Sequence, residues 1–145
     1  MKQAQATERD LADLLVRNGV QVTRQRLEVL SELAVEPNDA TAQTLWKRLR
    51  EQRGSTIGLA TIYRTLSLLS EKGVVDPLAH REGELCYRLC GGSHHHHLVC
   101  SNCHRVVEVD EYGLTDWLDR VFAKHDFIAK AHTVELTGLC STCRK

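Results

Sequence analysis

The stretch LATIYRTLSLLSEKGVVDPLAHREGELCYRL, residues 59–89, changes its apolar period partway along and thereby decides the fold of the first half of the chain. Ile62, Leu66 and Leu69 recur at helical spacing, and Lys72-Gly73 supplies a cation and a glycine at the place where a helix stops. Beyond Gly73 the period falls toward two. Val74-Val75-Asp76-Pro77-Leu78 and Glu84-Leu85-Cys86-Tyr87-Arg88-Leu89 flank the turn Arg81-Glu82-Gly83, which predicts a β-hairpin. Three more helices are predicted upstream. Thr7 caps the first, with Asp10 completing a capping-box pattern and Leu11, Leu14 and Leu15 inward, and Gly19 ends it. Thr23 caps the second, which carries Leu27, Leu30 and Ala34, and Pro37-Asn38-Asp39 is a loop. Thr41 caps the third, with Ala42, Leu45 and Leu49 inward, and Gly54-Ser55-Thr56 breaks it. Short helices followed by a hairpin are the layout of a winged helix-turn-helix, in which the last helix enters the DNA major groove and the hairpin touches the backbone. The polar face of that helix carries Thr61, Tyr63, Arg64 and Ser67. Arg64 can reach guanine or phosphate, and Tyr63 a thymine methyl or phosphate. Periodicity alone leaves a merely solvated face as the alternative.

Bulk charge does not hold such a chain on nucleic acid. The 145 residues carry 19 Lys+Arg and 19 Asp+Glu, a formal net charge of zero. Up to Lys72 there are 11 basic and 9 acidic residues, a weak bias, so DNA contact must come from a local patch. No apolar run approaches the ~20 residues that span a bilayer. Met1 to Gln5 contains no apolar signal segment, so a cytoplasmic protein is expected.

The second half is chemically different. All 6 Cys and all 8 His lie at or beyond residue 80. In a reducing compartment, paired thiols point to metal or redox chemistry rather than disulfides. Leu98-Val99-Cys100 and Arg105 to Val109 read as strands around a tight turn, Tyr112 to Lys124 as a helix with Leu114, Trp117, Leu118 and Val121 on one face, and Ile128 to Leu136 as a further strand. An α/β unit this small needs a staple or a partner chain, which makes a homodimer the expected assembly. Cys100-Ser101-Asn102-Cys103 and Cys140-Ser141-Thr142-Cys143 supply the staple. Two C-x2-C knuckles complete a tetrahedral four-sulfur shell, the preferred structural zinc site. A redox C-x2-C is the alternative, but two pairs without a thioredoxin-like context argue against it.

Cys90-Gly91-Gly92-Ser93-His94-His95-His96-His97 is the other cluster. In extended chain, alternate side chains point to opposite sides, so His95 and His97 face one way and His94 and His96 the other. One short stretch can thus serve two metal sites. Cys90 on its glycine tether, with Asp76 from the far end of the hairpin, can join His95 and His97 in an S/N/N/O shell that suits zinc best. A solvated polar loop is the bland alternative. No H-x-E with P-C-x-x-C and no H-E-x-x-H is present, so no zinc enzyme is expected.

Together, Thr23-Arg24-Gln25-Arg26, Leu59 to Leu66, His94 to Cys100 and Cys140-x-x-Cys143 resemble the ferric uptake regulator family of metal-responsive repressors, from about Leu11 to Cys143. Gly92-Ser93-His94 through Cys100, with Ala131-His132-Thr133-Val134-Glu135, are most similar to its zinc uptake regulator branch. The resemblance implies an α+β fold: a winged helix-turn-helix DNA-binding domain over 1–89, a hinge at about 76–93, and a dimerisation and metal-binding domain over 94–145. It implies structural zinc on Cys100, Cys103, Cys140 and Cys143, and regulatory zinc on Asp76, Cys90, His95 and His97. A further site falls on His94, His96 and His132, giving two to three zinc ions per chain, and Thr61, Tyr63 and Arg64 fall on the DNA-reading helix. The implied function is a zinc-responsive repressor that binds palindromic operator DNA as a zinc-loaded homodimer and represses metal-uptake genes. It has no small-molecule substrate other than the metal ion. Thr115 stands where that branch has a glutamate ligand of the further site; Asp116, Glu111 or water are the substitutes. Cys86 matches no ligand and reads as a packed strand residue, and His80, His104 and His125 as solvated or satisfied histidines. The alternatives are an iron- or peroxide-responsive relative, which the Cys90 thiolate argues against, and a constitutive zinc-ribbon DNA-binding protein.

Overall fold

The computed structural model describes residues 6–36, 39–81, 83–89, 94–110 and 113–145. The predicted Pro37-Asn38 loop and the positions of Cys90 and Glu111 lie outside them. The chain divides into two compact units, Met1–Gly92 and Ser93–Lys145.

In the first unit, local capping sets where each early helix begins. Helix α1 (Glu8–Arg17) starts at a capping box: the Thr7 hydroxyl accepts the Asp10 N–H at 3.2 Å, and the Asp10 carboxylate accepts the Thr7 N–H at 2.8 Å. The Thr7 hydroxyl first, then its backbone N–H, hold the Asp10 carboxyl below its ordinary range. Helix α2 (Arg24–Val35) is capped by Thr23, which accepts the Arg26 N–H at 3.3 Å. Strand β1 (Ala40–Thr41) runs directly into helix α3 (Ala42–Arg53), whose Thr41 cap accepts the Thr44 N–H at 3.1 Å. Gly54 ends α3 at φ +60°, a left-handed conformation that glycine adopts without Cβ strain. Helix α4 (Leu59–Glu71) follows, then strands β2 (Val75–Arg81) and β3 (Glu84–Leu89).

Leu15, Val29, Leu30, Leu45, Ile62, Leu66 and Leu69 are fully buried in one core, to which Val74, Val75 and Tyr87 of the hairpin region also belong. A polar seam reinforces it. Glu28 and Glu32, one turn apart on α2, and Glu36, its C-cap, reach residues of α3 and its exit: Glu28 accepts from the Ser55 hydroxyl at 2.6 Å, Glu32 pairs with Arg53 at 3.2 Å, and Glu36 pairs with Arg48. The sheet has the order β1-β3-β2. The hairpin is thus three-stranded, with Ala40 and Thr41 opposite Tyr87 and Cys86. A strand of two residues has no periodicity, so sequence reading finds only a helix cap at Thr41. Pro77 sits on edge strand β2, where its missing N–H costs no ladder bond to a further strand.

The second unit is a sheet of order β5-β4-β6, made of β4 (His96–Cys100), β5 (Val106–Val109) and β6 (Glu135–Gly138), plus helix α5 (Leu114–Lys124). The central strand β4 runs antiparallel to β5 and parallel to β6. Two expectations change. The strand expected over Ile128 to Leu136 is confined to Glu135–Gly138, and Ile128 is 89% exposed; alternation without a neighbouring strand to pair with does not make a sheet. Helix α5 begins at Leu114, and its expected inward face is not buried: Trp117 is 53% exposed. Among the described residues, no helix is long and apolar enough to cross a membrane.

Leu66→Ala empties a fully buried position and is expected to cost about 3 kcal/mol of unfolding free energy in urea titration, whereas Thr23→Ala, a lost cap, should cost about 1 kcal/mol.

Candidate metal centres

Four sulfurs converge at the end of β4. Cys100 ends that strand and Cys103 follows on its turn, while Cys140 and Cys143 occupy a second turn just after β6. Each turn is closed by backbone: the His104 N–H donates to the Cys100 carbonyl at 2.9 Å and the Cys143 N–H to the Cys140 carbonyl at 3.0 Å. The Ser101 N–H donates to the Gly138 carbonyl at 2.9 Å, which brings the turns side by side. All four sulfurs lie within 4.8 Å of one another, with Cys103 Sγ and Cys140 Sγ 3.8 Å apart. A tetrahedral ion with bonds of ~2.3 Å needs edges of about 3.8 Å, so the sulfurs fit zinc. Charge supports this. Backbone N–H groups of Cys103, Cys140 and Asn102, in that order, draw the Cys100 thiol down to about 6. The Cys143 N–H, foremost, lowers Cys140. Against a lowering by the Asn102 side chain, hydrogen bonds among the sulfurs, Cys140 foremost, push Cys143 up to about 11, so the backbone favours thiolate at Cys100 and Cys140 while a metal must displace the Cys143 proton.

The histidines form two groups. His94, His96 and His132 bring one ring nitrogen each within 4.8 Å of one another, and His94 Nε2 and His132 Nε2 are 2.9 Å apart, one donating to the other. Imidazole nitrogens on a tetrahedral ion stand about 3.4 Å apart, so this cluster also fits a divalent cation. Thr115 lies half-buried near the start of α5 and offers a hydroxyl rather than a carboxylate. The rings of His95 and His97 meet edge to face with centroids 4.9 Å apart. Asp76 is half-buried on β2 of the first unit, in register with Arg88. Cys86 is fully buried on β3. One feature escaped sequence reading: the register sets His97 directly opposite Glu108 on β5 and Glu135 on β6. Nothing in the sequence announces which strands pair, or at which offset.

On α4 the polar face is available. Tyr63 is 45% exposed, Arg64 and Ser67 are exposed, and the Arg64 guanidinium donates to the Thr61 hydroxyl at 3.3 Å. Burial, with a contribution from Tyr63, pushes the Tyr87 phenol of β3 up, which marks the closeness of helix and hairpin.

A helical unit with a three-stranded wing, joined to a small unit holding sulfur and imidazole clusters, defines a metal-dependent regulator with a winged helix. The chain belongs to the Ferric uptake regulator family, whose sequence pattern matches residues 17–137. It is 43% identical over 126 residues to the zinc uptake regulation protein of Mycobacterium tuberculosis H37Rv, covering 87% of this chain and 96% of that one. It is 33% identical over 135 residues to the ferric uptake regulation protein of Escherichia coli K12, covering 90% of each. Its fold matches a zinc uptake regulator complexed with zinc and DNA at a TM-score of 0.81 and 27% identity, over 99% of this chain and 96% of that one.

Cys140→Ser is expected to release one tightly held zinc ion per chain, measured by elemental analysis after gel filtration, and to lower the melting temperature. Cys86→Ser should leave the metal content unchanged.

Proposed function

We propose that this chain is a zinc-responsive transcriptional repressor that binds palindromic operator DNA as a zinc-loaded homodimer and represses metal-uptake genes in the cytoplasm. The observation that carries it is the division of one histidine run, leading into a strand that ends in a four-sulfur cluster, into two groups of rings. A permanent staple needs only the sulfurs; the additional imidazoles are the mark of exchangeable metal. The likeness to zinc uptake regulators favours zinc over iron. The reading contains no catalytic step.

Cys100, Cys103, Cys140 and Cys143 hold the structural ion. Asp76, Cys90, His95 and His97 hold the regulatory one, with Asp76 drawn from the first unit and the two histidines from the second. His94, His96 and His132 hold the further one, for two to three ions per chain. When bound, zinc supplies directed tetrahedral bonds that its ligands must meet together. Asp76, answering to the same bonds as His95 and His97, then restricts the orientations of the α4 helices in a dimer. Two reading helices must stand about one DNA turn, ~34 Å, apart to enter successive major grooves. There Arg64 reaches a guanine edge or phosphate, Tyr63 a phosphate or thymine methyl, and Thr61 holds the Arg64 guanidinium until DNA is met. Metal and operator therefore strengthen each other's binding by one shared coupling free energy. The exposed apolar face of α5, with Trp117, is the surface expected to meet the second copy.

Cys90→Ser is expected to weaken operator binding about 5- to 150-fold at saturating zinc, in fluorescence anisotropy with operator DNA, while the dimer and its chelator-resistant zinc persist. Undiminished zinc-dependent binding would sink the hinge mechanism. Arg64→Ala should weaken operator binding by about 1–3 kcal/mol and relax discrimination at one base pair, leaving zinc content unchanged.

A further inference from the structure

The wing carries a row of charges that alternate in sign. Arg88 lies on β3, the middle strand of the order β1-β3-β2. On one side its register partner is Asp76 of β2. On the other side Ala40 and Thr41 of β1 stand opposite Tyr87 and Cys86, and the same antiparallel register, continued by one residue, sets Asp39 beside Arg88. Residues paired in register project to the same face, with Cβ atoms about 5 Å apart. The next row on that face, Thr41, Cys86 and Leu78, is buried and uncharged. Arg88 and Asp76 are half-buried, and Asp39 is 5% exposed. A carboxylate so deep requires a cation or hydrogen-bond donors, and the planar donor fork of a guanidinium can serve an acid on each side.

We propose that Arg88 is the metal-free partner of Asp76, so that the exchangeable ion recruits Asp76 in competition with a guanidinium. The inference rests on the regulatory-site reading. Asp39 is what makes the exchange feasible. A guanidinium that gives up Asp76 still faces Asp39, so neither charge is stranded in partly dehydrated surroundings. Asp39 and Asp76 thus compete for Arg88, as Arg88 and the cation compete for Asp76. Because β2 is an edge strand, Arg88 is the one cross-strand neighbour of Asp76 among the described residues. The competition raises the zinc concentration at which Asp76 is recruited, and it gives that carboxylate two defined states between which the ion selects.

The test uses the full chain without DNA, titrated with zinc(II) against graded competing chelators, in a His132→Ala background so that the further site adds no signal. Arg88→Gln is expected to tighten the exchangeable zinc about 2- to 5-fold, and Asp39→Asn, which leaves the guanidinium to Asp76 alone, to weaken it by a similar factor. The chelator-resistant ion is retained in both. Arg88→Gln combined with Asp39→Asn leaves no buried acid opposite a neutral partner, so it remains informative where Arg88→Gln alone does not fold. Since Asp39 acts through Arg88, the double variant should bind as tightly as Arg88→Gln; an affinity back at the wild-type value would mean a plain sum of charges and overturn the proposal. Unchanged or weaker zinc binding in Arg88→Gln would overturn it as well. Asp76→Ala separates the two layers. If exchangeable zinc survives it undiminished, the regulatory-site reading fails and this inference with it. If Asp76→Ala weakens that zinc while both Arg88 variants bind as the wild type does, only the competing role of Arg88 is lost.

Discussion

The pairing register of β4 is the constraint on which the second unit depends. Five residues, His96–Cys100, form the central strand, and the pleat sends neighbours to opposite faces. A slip of one residue against β5 or β6 would exchange the histidines of the two groups and move Glu108 and Glu135 from His97 to its neighbours. The lock lies at the strand's end, where the Ser101 N–H donates to the Gly138 carbonyl at 2.9 Å and the Cys140 N–H to Cys100 Sγ at 3.4 Å. The sulfur knuckles therefore do more than staple two turns together. By fixing where β4 meets β6, they fix which face each imidazole occupies three to six residues upstream.

That arrangement answers a shortage of core. Among the described residues of the second unit, the buried apolar side chains are Val99, Cys100 and Val106, whereas the first unit buries Leu15, Val29, Leu30, Leu45, Ile62, Leu66, Leu69 and others around one centre. A unit of about 50 residues with so small a core cannot offset its chain entropy by burial alone. Metal–sulfur bonding and a partner chain are the available supplements, and the apolar side chains left exposed at Leu98, Trp117, Leu136 and Leu139 fit the second of these.

What the sequence disclosed followed from interactions that are local in the chain. Caps at Thr7, Thr23 and Thr41, the stripe of Ile62, Leu66 and Leu69, and the hairpin around Gly83 each depend on spacings of two to four residues. The alternation of His94 to His97 was legible for the same reason. Non-local pairing was not. The two-residue strand β1 exists only because β3 lies beside it, the α2–α3 acid–base seam joins residues up to 27 apart, and the acids flanking His97 come from strands on opposite sides of β4. The strand expected from Ile128 failed in the other direction. Its alternation was present, but among the described residues no strand pairs with the segment 128–134. Thr115 illustrates a different limit: family likeness assigns its position to a ligand site, but the side chain has no carboxylate to offer.

The two units also suit different parts of a switch. A reading head must keep its shape, and α4 is anchored by three fully buried residues, Ile62, Leu66 and Leu69, while Tyr63 and Arg64 stay exposed on the opposite face. A sensor must change state within the free energy that one ion supplies, so it belongs in a segment of low intrinsic stability. The chain places its imidazoles in the unit with the thinner core, next to a sulfur cluster that keeps their strand in register. Were the proposed regulatory ligands built into the core of the first unit, metal exchange would have to work against the packing that positions the DNA-reading helix. Asp76, one of the proposed regulatory ligands, stands on an edge strand of the wing and is not among the residues that form the core behind α4.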